Sequence, residues 1–275
     1  MRSQGSAPPL DRTFAFGNKS AMTILILGGT TEAAELAQHL AERHPGIGAE
    51  ISLAGRTRMP KPLAVPTRIG GFGGAAGLAA YLAGHGIAAV VDATHPFAAV
   101  MPFNAAAACR AAGVPLLALH RPAWTSGPGD RWTPVATMTD AAAALGSEPR
   151  RVFLTIGRQE LGAFAAQPQH AYLVRSIEPI GNVLDGLAVT AIETRGPFTE
   201  AEEAALMRMH RIEIVVSKNA GGSQTRAKLA AARSLGLPVV MVQRPAKPPV
   251  ETVATIDAAV TWLRHHGLVP TDRGV

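Results

Sequence analysis

The sequence predicts an α/β protein made of two Rossmann-like lobes, each with a parallel sheet, and a cleft between them. Three observations carry that expectation. First, the chain repeats itself. Val90-Val91-Asp92, a loop, a helix and residues 110–123 form one block; Val215-Val216-Ser217, a loop, a helix and residues 233–246 form another. From Gly113 and Gly236 onward the blocks align without a gap, through Arg121-Pro122-Ala123 and Arg244-Pro245-Ala246. Each reads strand, loop, helix, helix-stopping Gly, Pro, strand, which is a βαβ unit. Second, the echo continues downstream, where Val135-Ala-Thr-Met-Thr-Asp140 resembles Val253-Ala-Thr-Ile-Asp257. Third, the apolar run 23–27 ends in Gly28-Gly29-Thr30-Thr31-Glu32-Ala33, and Leu36, Ala37, Leu40 and Ala41 then keep helical spacing. A buried strand, a glycine turn and a helix make the phosphate-binding opening of a dinucleotide fold.

The 275 residues suffice for two ordinary domains. Residues 1–21 read as a flexible arm, or as an over-long start with Met22 as the working beginning. Residues 22–134 read as an NADP-binding Rossmann-like domain, with a crossing at 123–134. Residues 135–275 read as a second, substrate-side domain whose C-terminal helix is free to pack back on the first. Apolar residues make up 47% of the chain and charged residues 17%, as in globular enzymes. No apolar run approaches the ~18 residues of a membrane span. The lone Cys109 cannot form an internal disulfide, and a cytoplasmic location is expected.

The charge is +6, and arginine carries it: 21 Arg against 5 Lys. A guanidinium fork suits carboxylates and phosphates. There is no block of like charges and no aromatic interleaving, so a small polyanion fits better than nucleic acid. HExxH, GxSxG and Cys/His ligand spacings are lacking, so no metal site is expected.

Each strand end then offers candidates. In the glycine turn, Gly28, Gly29, Thr30, Thr31 and Glu32 are placed on the cofactor; Thr30 and Thr31 either bond phosphate or cap the helix. The second strand ends Gly55-Arg56-Thr57 with no acid, which favours NADP(H) over NAD, with Arg56 on the 2′-phosphate. A third strand over 63–69 runs into Gly70-Gly71-Phe72-Gly73-Gly74, where Gly71, Phe72 and Gly73 are read as a close approach to ligand. Strand four delivers Asp92-Ala-Thr94-His95-Pro96-Phe97, with Pro96 suited to a helix N1 position and His95 either a local hydrogen-bonder or a proton donor. In the second half, Arg175 and Arg195 sit at strand ends, and Thr199-Glu-Ala-Glu202 is a capping box. Ser217-Lys218-Asn219-Ala220-Gly221-Gly222-Ser223 looks phosphate-friendly but is no Walker motif, since the Lys precedes the glycines.

Together these motifs resemble the precorrin-6A reductases of cobalamin biosynthesis, from Met22 to about Leu263. The markers are Gly28-Gly-Thr-Thr-Glu-Ala33, Ser52-Leu-Ala-Gly-Arg56-Thr57, Gly70-Gly-Phe-Gly-Gly74 and Asp92-Ala-Thr-His-Pro-Phe-Ala98. Thr155-Ile-Gly157-Arg, Arg195-Gly-Pro-Phe198, Ser217-Lys218-Asn219 and Arg244-Pro245 complete the set. The resemblance implies two dinucleotide-type lobes with the active site between them, and hydride transfer from NADPH to carbon C19 of a macrocyclic tetrapyrrole. It places Thr94 on the cofactor, and His95, Pro96, Phe97, Arg175, Arg195, Lys218 and Asn219 on a polycarboxylate substrate. Lys218 and His95 are candidate catalytic residues, with water as the other proton source. Lys218 could instead pair with a nearby acid and shape its loop. The partners implied are the tetrapyrrole and neighbouring pathway enzymes, with no nucleic acid and no membrane. The alternatives are a cobalt-precorrin-6A reductase, a nucleotide-sugar transferase or a non-catalytic NADP(H)-binding protein.

Overall fold

The computed structural model describes residues 22–55 and 62–270. The chain first forms β1 (Thr23–Leu27), α1 (Thr31–Arg43), β2 (Gly48–Leu53), β3 (Thr67–Ile69), α2 (Gly74–Gly84), β4 (Ile87–Asp92), α3 (Met101–Ala112) and β5 (Leu116–Leu119). It continues through β6 (Arg131–Val135), α4 (Met138–Ala143), β7 (Arg151–Thr155), a 3-10 helix (Arg158–Ala166), β8 (Ala171–Ser176) and β9 (Ala188–Glu193). Then come α5 (Glu200–Met209), β10 (Ile214–Lys218), α6 (Ala227–Ser234), β11 (Pro238–Val242), β12 (Thr252–Val253) and α7 (Ile256–His265). Two six-stranded sheets result, ordered β12-β5-β4-β1-β2-β3 and β6-β11-β10-β7-β8-β9, with every ladder parallel. The α/β class and the paired parallel sheets match the sequence expectation.

The repeat is visible strand for strand. β4-α3-β5 and β10-α6-β11 hold the same places in their sheets. Gly113 and Gly236 end their helices at the same left-handed φ of 66°. The amides that follow, Val114 and Leu237, donate back to the Cys109 and Ala232 carbonyls. Glycine meets this closing geometry without a Cβ penalty.

The edge strands are exchanged. β6 follows β5 in the chain yet pairs with β11, while β12 follows β11 yet pairs with β5. Each sheet therefore takes its edge from the segment that has just left the other sheet. The second sheet begins at Arg131, inside the stretch that the sequence assigns to the crossing. Both returning segments carry a helix capped by threonine: Thr137 Oγ1 accepts from Asp140 N–H, and Thr255 Oγ1 from Ala258 N–H. The Thr199 capping box is present as read. β3 is shorter than expected, starting at Thr67. The preceding Pro66 has no N–H to give a ladder, and only its carbonyl takes part, accepting from Ile51.

Strands buried on both faces build two cores per lobe. On one face of the first sheet Ile24, Ile26, Leu36 and Leu40 meet Ala259, Trp262 and Leu263 of α7; on the other, Leu25, Leu27 and Val90 meet Leu78, Leu82 and Cys109. In the second sheet Val152, Leu154, Val216 and Val240 face Phe164 and Tyr172, while Phe153, Val215 and Met241 face Met207 and Leu229. Among the described residues no helix is long and apolar enough to cross a membrane.

Because α7 completes the first core, its loss reaches β1 and α1. Leu263 is 0% exposed, and truncating such a leucine costs about 2–5 kcal/mol. Leu263→Ala is expected to lower the unfolding free energy measured by urea titration by that amount. A change below about 1 kcal/mol would mean that α7 is an appendage.

Candidate active site

The glycine turn is built for close approach. A Cβ on Gly28 would lie 2.7 Å from Ile51 Cδ1, and the Gly28 N–H donates to the Ser52 carbonyl at 2.8 Å. Gly29 has φ 118° and open space where a Cβ would stand. Of the two roles open to Thr30, the structure shows the cap: its Oγ1 accepts from Ala33 N–H at 3.2 Å and donates to the Ala93 carbonyl at 2.8 Å. Thr31 opens α1 behind it. Glu32 receives both of its close contacts from Arg121 Nη1, at 2.7 and 3.0 Å. Burial alone would raise the Glu32 pKa, but the hydrogen bond and charge of Arg121 outweigh it and leave the carboxyl below its ordinary value. An acid that would repel a pyrophosphate at this helix end is thereby neutralised.

Arg56 and Thr57 lie outside the described residues. The visible end of β2 carries no acid. Beside it, Arg68 donates to Ser52 Oγ at 3.3 Å, to the Gly70 carbonyl at 2.7 Å and to the Gly71 carbonyl at 2.6 Å. Its guanidinium lies 4.0 Å over the Phe72 ring, and Phe72 packs edge-on against Tyr81 of α2. The Phe72 ring is thus held by protein, while the backbone of Gly71 and Gly73 is exposed. Gly73 caps α2 at φ 77°. Sequence reading missed Arg68, because β3 is too short to mark where a strand end falls.

The loop after β4 reaches across to the second lobe. Asp92, 2% exposed, accepts the Thr94 N–H at 3.0 Å. Thr94 Oγ1 is buried and has no hydrogen-bond partner among the described residues. Pro96 is buried in the loop, not at a helix start; α3 begins at Met101 with Pro102 in its first turn, because residues 93–100 form the loop that brings Phe97 against the second lobe. Phe97 packs against the Val216 core of the second lobe, and Lys218 Nζ stands 5.0 Å above its ring. His95 Nδ1 accepts the Phe97 N–H, so Nε2 carries the proton. Burial first, then the charges of Lys218, Arg121, Lys247 and Arg244, push the His95 pKa down to about 3. A neutral imidazole cannot act as an imidazolium donor near neutrality.

In the second lobe Lys218 Nζ pairs with Glu160 at 2.8 Å. Glu160 folds over Gly157, where a Cβ would lie 2.6 Å from its Oε2. Asn219 is held by the crossing chain. It is 4% exposed, its Oδ1 accepts from Trp124 N–H and its Nδ2 donates to the Trp124 carbonyl, so both amide ends are consumed. Arg175 is likewise committed: it pairs with Glu203 at 2.6 Å, with side chains 8% and 1% exposed, under the Phe198 ring. Arg195 is exposed on its loop. The glycines of 217–223 are not a phosphate cradle. A Cβ on Gly221 would collide with the Pro122 carbonyl, and one on Gly222 would lie 2.9 Å from Arg121 Cδ. They make room for the crossing chain.

With this geometry in view, the comparisons are direct. A family model described as precorrin-6x reductase CbiJ/CobK matches residues 23–264. The chain belongs to the precorrin-6x reductase family. It is 53% identical over 242 residues to a precorrin-6A reductase of Sinorhizobium sp, covering 88% of this chain and 92% of that one. With the precorrin-6A reductase of Rhodobacter capsulatus it shares 51% over 252 residues, or 92% and 99% of the two chains. A solved structure of CobK precorrin-6A reductase superposes with a TM-score of 0.84 at 49% identity, covering 92% of this chain and 100% of the other. A cobalt-precorrin-6A reductase of Priestia megaterium is 28% identical over 233 residues, 81% and 90% of the chains.

The depressed His95 pKa has a definite consequence for stability. The unfolded residue binds a proton near its ordinary 6.5, whereas the folded one does so only near 3. The His95 contribution is therefore complete above about pH 6.5 and declines as pH falls toward 3. His95→Gln is expected to flatten that part of the pH profile of the urea midpoint. An unchanged slope would place the titration elsewhere.

Proposed function

We propose that this chain reduces precorrin-6A to precorrin-6B with NADPH, adding hydride at C19 of the macrocycle and a proton at the neighbouring ring carbon, during corrin ring biosynthesis. One asymmetry between the duplicated lobes carries the reading. Counting from the ends of β1 and β7, Gly29 corresponds to Gly157 and Glu32 to Glu160. At Gly29 the turn is open and leads into an α-helix; at Gly157 the space is filled by the Glu160 carboxylate and leads into a 3-10 helix. Free helix N–H groups and a helix dipole suit a pyrophosphate. The nucleotide accordingly goes to the first lobe, and the filled turn of the second aims a lysine at the substrate. That division argues against a transferase, whose nucleotide would sit in the C-terminal lobe.

Family membership supports reductase chemistry, and the 51–53% relatives named for precorrin-6A, against 28% for the cobalt form, favour the metal-free substrate. When bound, NADPH supplies the hydride. Gly28, Gly29, Thr31 and the start of α1 hold its pyrophosphate, and the exposed Gly71 and Gly73 backbone lies along it. The orphan Thr94 hydroxyl gains a partner there; leaving such a buried group unpaired costs about 1–3 kcal/mol. Arg56 and Thr57 keep their place in the reading on the cofactor side. Arg195 and Lys218 meet the substrate carboxylates, while His95, Pro96 and Phe97 wall the cleft. With His95 neutral, Lys218 is the protein group that can stabilise charge or pass a proton at the reacting face. A cytoplasmic location and contact with neighbouring pathway enzymes go with this reading.

The direct test mixes protein, NADPH and precorrin-6A anaerobically. Loss of NADPH absorbance in step with a change in the macrocycle spectrum is expected, and faster than with the cobalt form. No turnover of either form would leave a binding protein instead.

Two variants separate roles on the substrate side. A carboxylate clamp binds ground and transition states alike, so Arg195→Ala should mainly raise KM. Lys218→Ala should lower kcat as well. Wild-type kcat and KM in a folded Lys218→Ala protein would reduce the Lys218–Glu160 pair to a brace for its loop.

A further inference from the structure

We propose that Arg68 is a second cation, in addition to Arg56, that reads the 2′-phosphate of the cofactor's adenosine and contributes most of the preference for NADPH over NADH. The inference rests on the NADPH reading above and adds to it a residue that no motif marks. Its ground is the state of the guanidinium. Arg121, Arg175 and Arg233 each pair with a carboxylate, namely Glu32, Glu203 and Asp130. Arg68 does not. Among the described residues its three hydrogen bonds go to neutral acceptors: Ser52 Oγ and the carbonyls of Gly70 and Gly71. The acid on the adjoining strand, Glu50, is taken by the Tyr81 hydroxyl at 2.8 Å. The charge is therefore held in place without being cancelled, and two of the five guanidinium N–H donors remain.

Its position fits the same purpose. Arg68 is the ladder partner of Ser52 in the β2–β3 pair. The Ser52 carbonyl in turn accepts from Gly28, so a single residue ties the phosphate turn to the cation. Arg68 lies two strands from β1, about 10 Å at ~4.8 Å per strand. That sets it beside the carboxyl end of β2, the end from which a dinucleotide fold reaches the adenosine ribose. The Phe72 ring at 4.0 Å and Tyr81 at 5.3 Å fix the guanidinium plane from behind. A fork fixed before the ligand arrives loses little freedom on binding a phosphate.

The test titrates the full-length chain with adenosine 2′,5′-bisphosphate and, separately, with 5′-AMP. The wild type is expected to favour the bisphosphate. Arg68→Met keeps the stem over Phe72 and removes the charge; it should weaken the bisphosphate by roughly 10- to 150-fold, the worth of a charged hydrogen bond, and leave 5′-AMP nearly unchanged. Arg68→Lys should retain part of the preference. Equal weakening of both nucleotides in both variants would make Arg68 a brace for the glycine loop and overturn the proposal. A bisphosphate preference that survives Arg68→Met would assign the phosphate to another cation and overturn it too. A wild type that does not distinguish the nucleotides would overturn the NADPH reading itself.

Discussion

Parallel sheets impose one constraint on which the rest of this molecule depends: every strand leaves the sheet at the same end, the end where ligands bind. A chain that shuttles twice between two such sheets must make both crossings beside its own site. Here the crossings leave β5 and β11 and exchange β6 and β12, and they are laced together where they pass. Arg244 Nη1 donates to the Arg121 carbonyl at 2.9 Å, Arg121 Nε donates to the Ala220 carbonyl at 2.8 Å, and Asn219 clasps the Trp124 backbone. Arg121 continues to Glu32 at the start of α1. The crossing therefore does more than join the lobes. It sets the charge at the start of α1 and fills the glycine loop after β10.

The same lacing explains the electrostatics. Lys218, Arg121, Lys247 and Arg244 converge on His95 from the crossing and from the second lobe, and burial adds to their effect. A protonated imidazole there would be one more cation in a region already rich in them. The protein holds it neutral, with its tautomer fixed by the Phe97 amide. Lys247 makes a related link from the returning segment, donating to the Ala98 carbonyl at the far end of the same loop. Positive charge is in this way concentrated around His95 while the loop that carries it stays tied to both lobes.

The architecture was legible in the sequence because a βαβ unit writes itself locally, in apolar runs, a helix-ending glycine and a following proline. The edge strands were not. β6 contains Pro134, which reads as a strand breaker, yet on an edge the missing N–H costs no ladder bond. β12 is only two residues long. The site was legible where local backbone geometry decides it, as at Gly28 and Gly29. It was not legible where a distant segment decides it: the phosphate-friendly look of Gly221 and Gly222 gives no sign that Pro122 and Arg121 occupy the space. Asn219, Arg175 and Arg68 share that difficulty, since each is assigned by partners far away in the sequence, Trp124, Glu203 and Ser52.

The structural repeat, with different side chains at equivalent positions, separates the two turns. Aligned on Val90-Val91 and Val215-Val216, the loops after β4 and β10 place Ala93 opposite Lys218 and Thr94 opposite Asn219. In the first lobe the alanine offers its carbonyl to Thr30 and leaves the turn open. In the second the lysine extends into the equivalent space and draws Glu160 over Gly157. Each glutamate thus captures a cation from its own lobe, but with opposite effect. Arg121 pairs with Glu32 beside a turn that stays open, whereas Lys218 and Glu160 close theirs. The Ala-to-Lys difference at these equivalent positions thus goes with an open turn in one lobe and a filled one in the other.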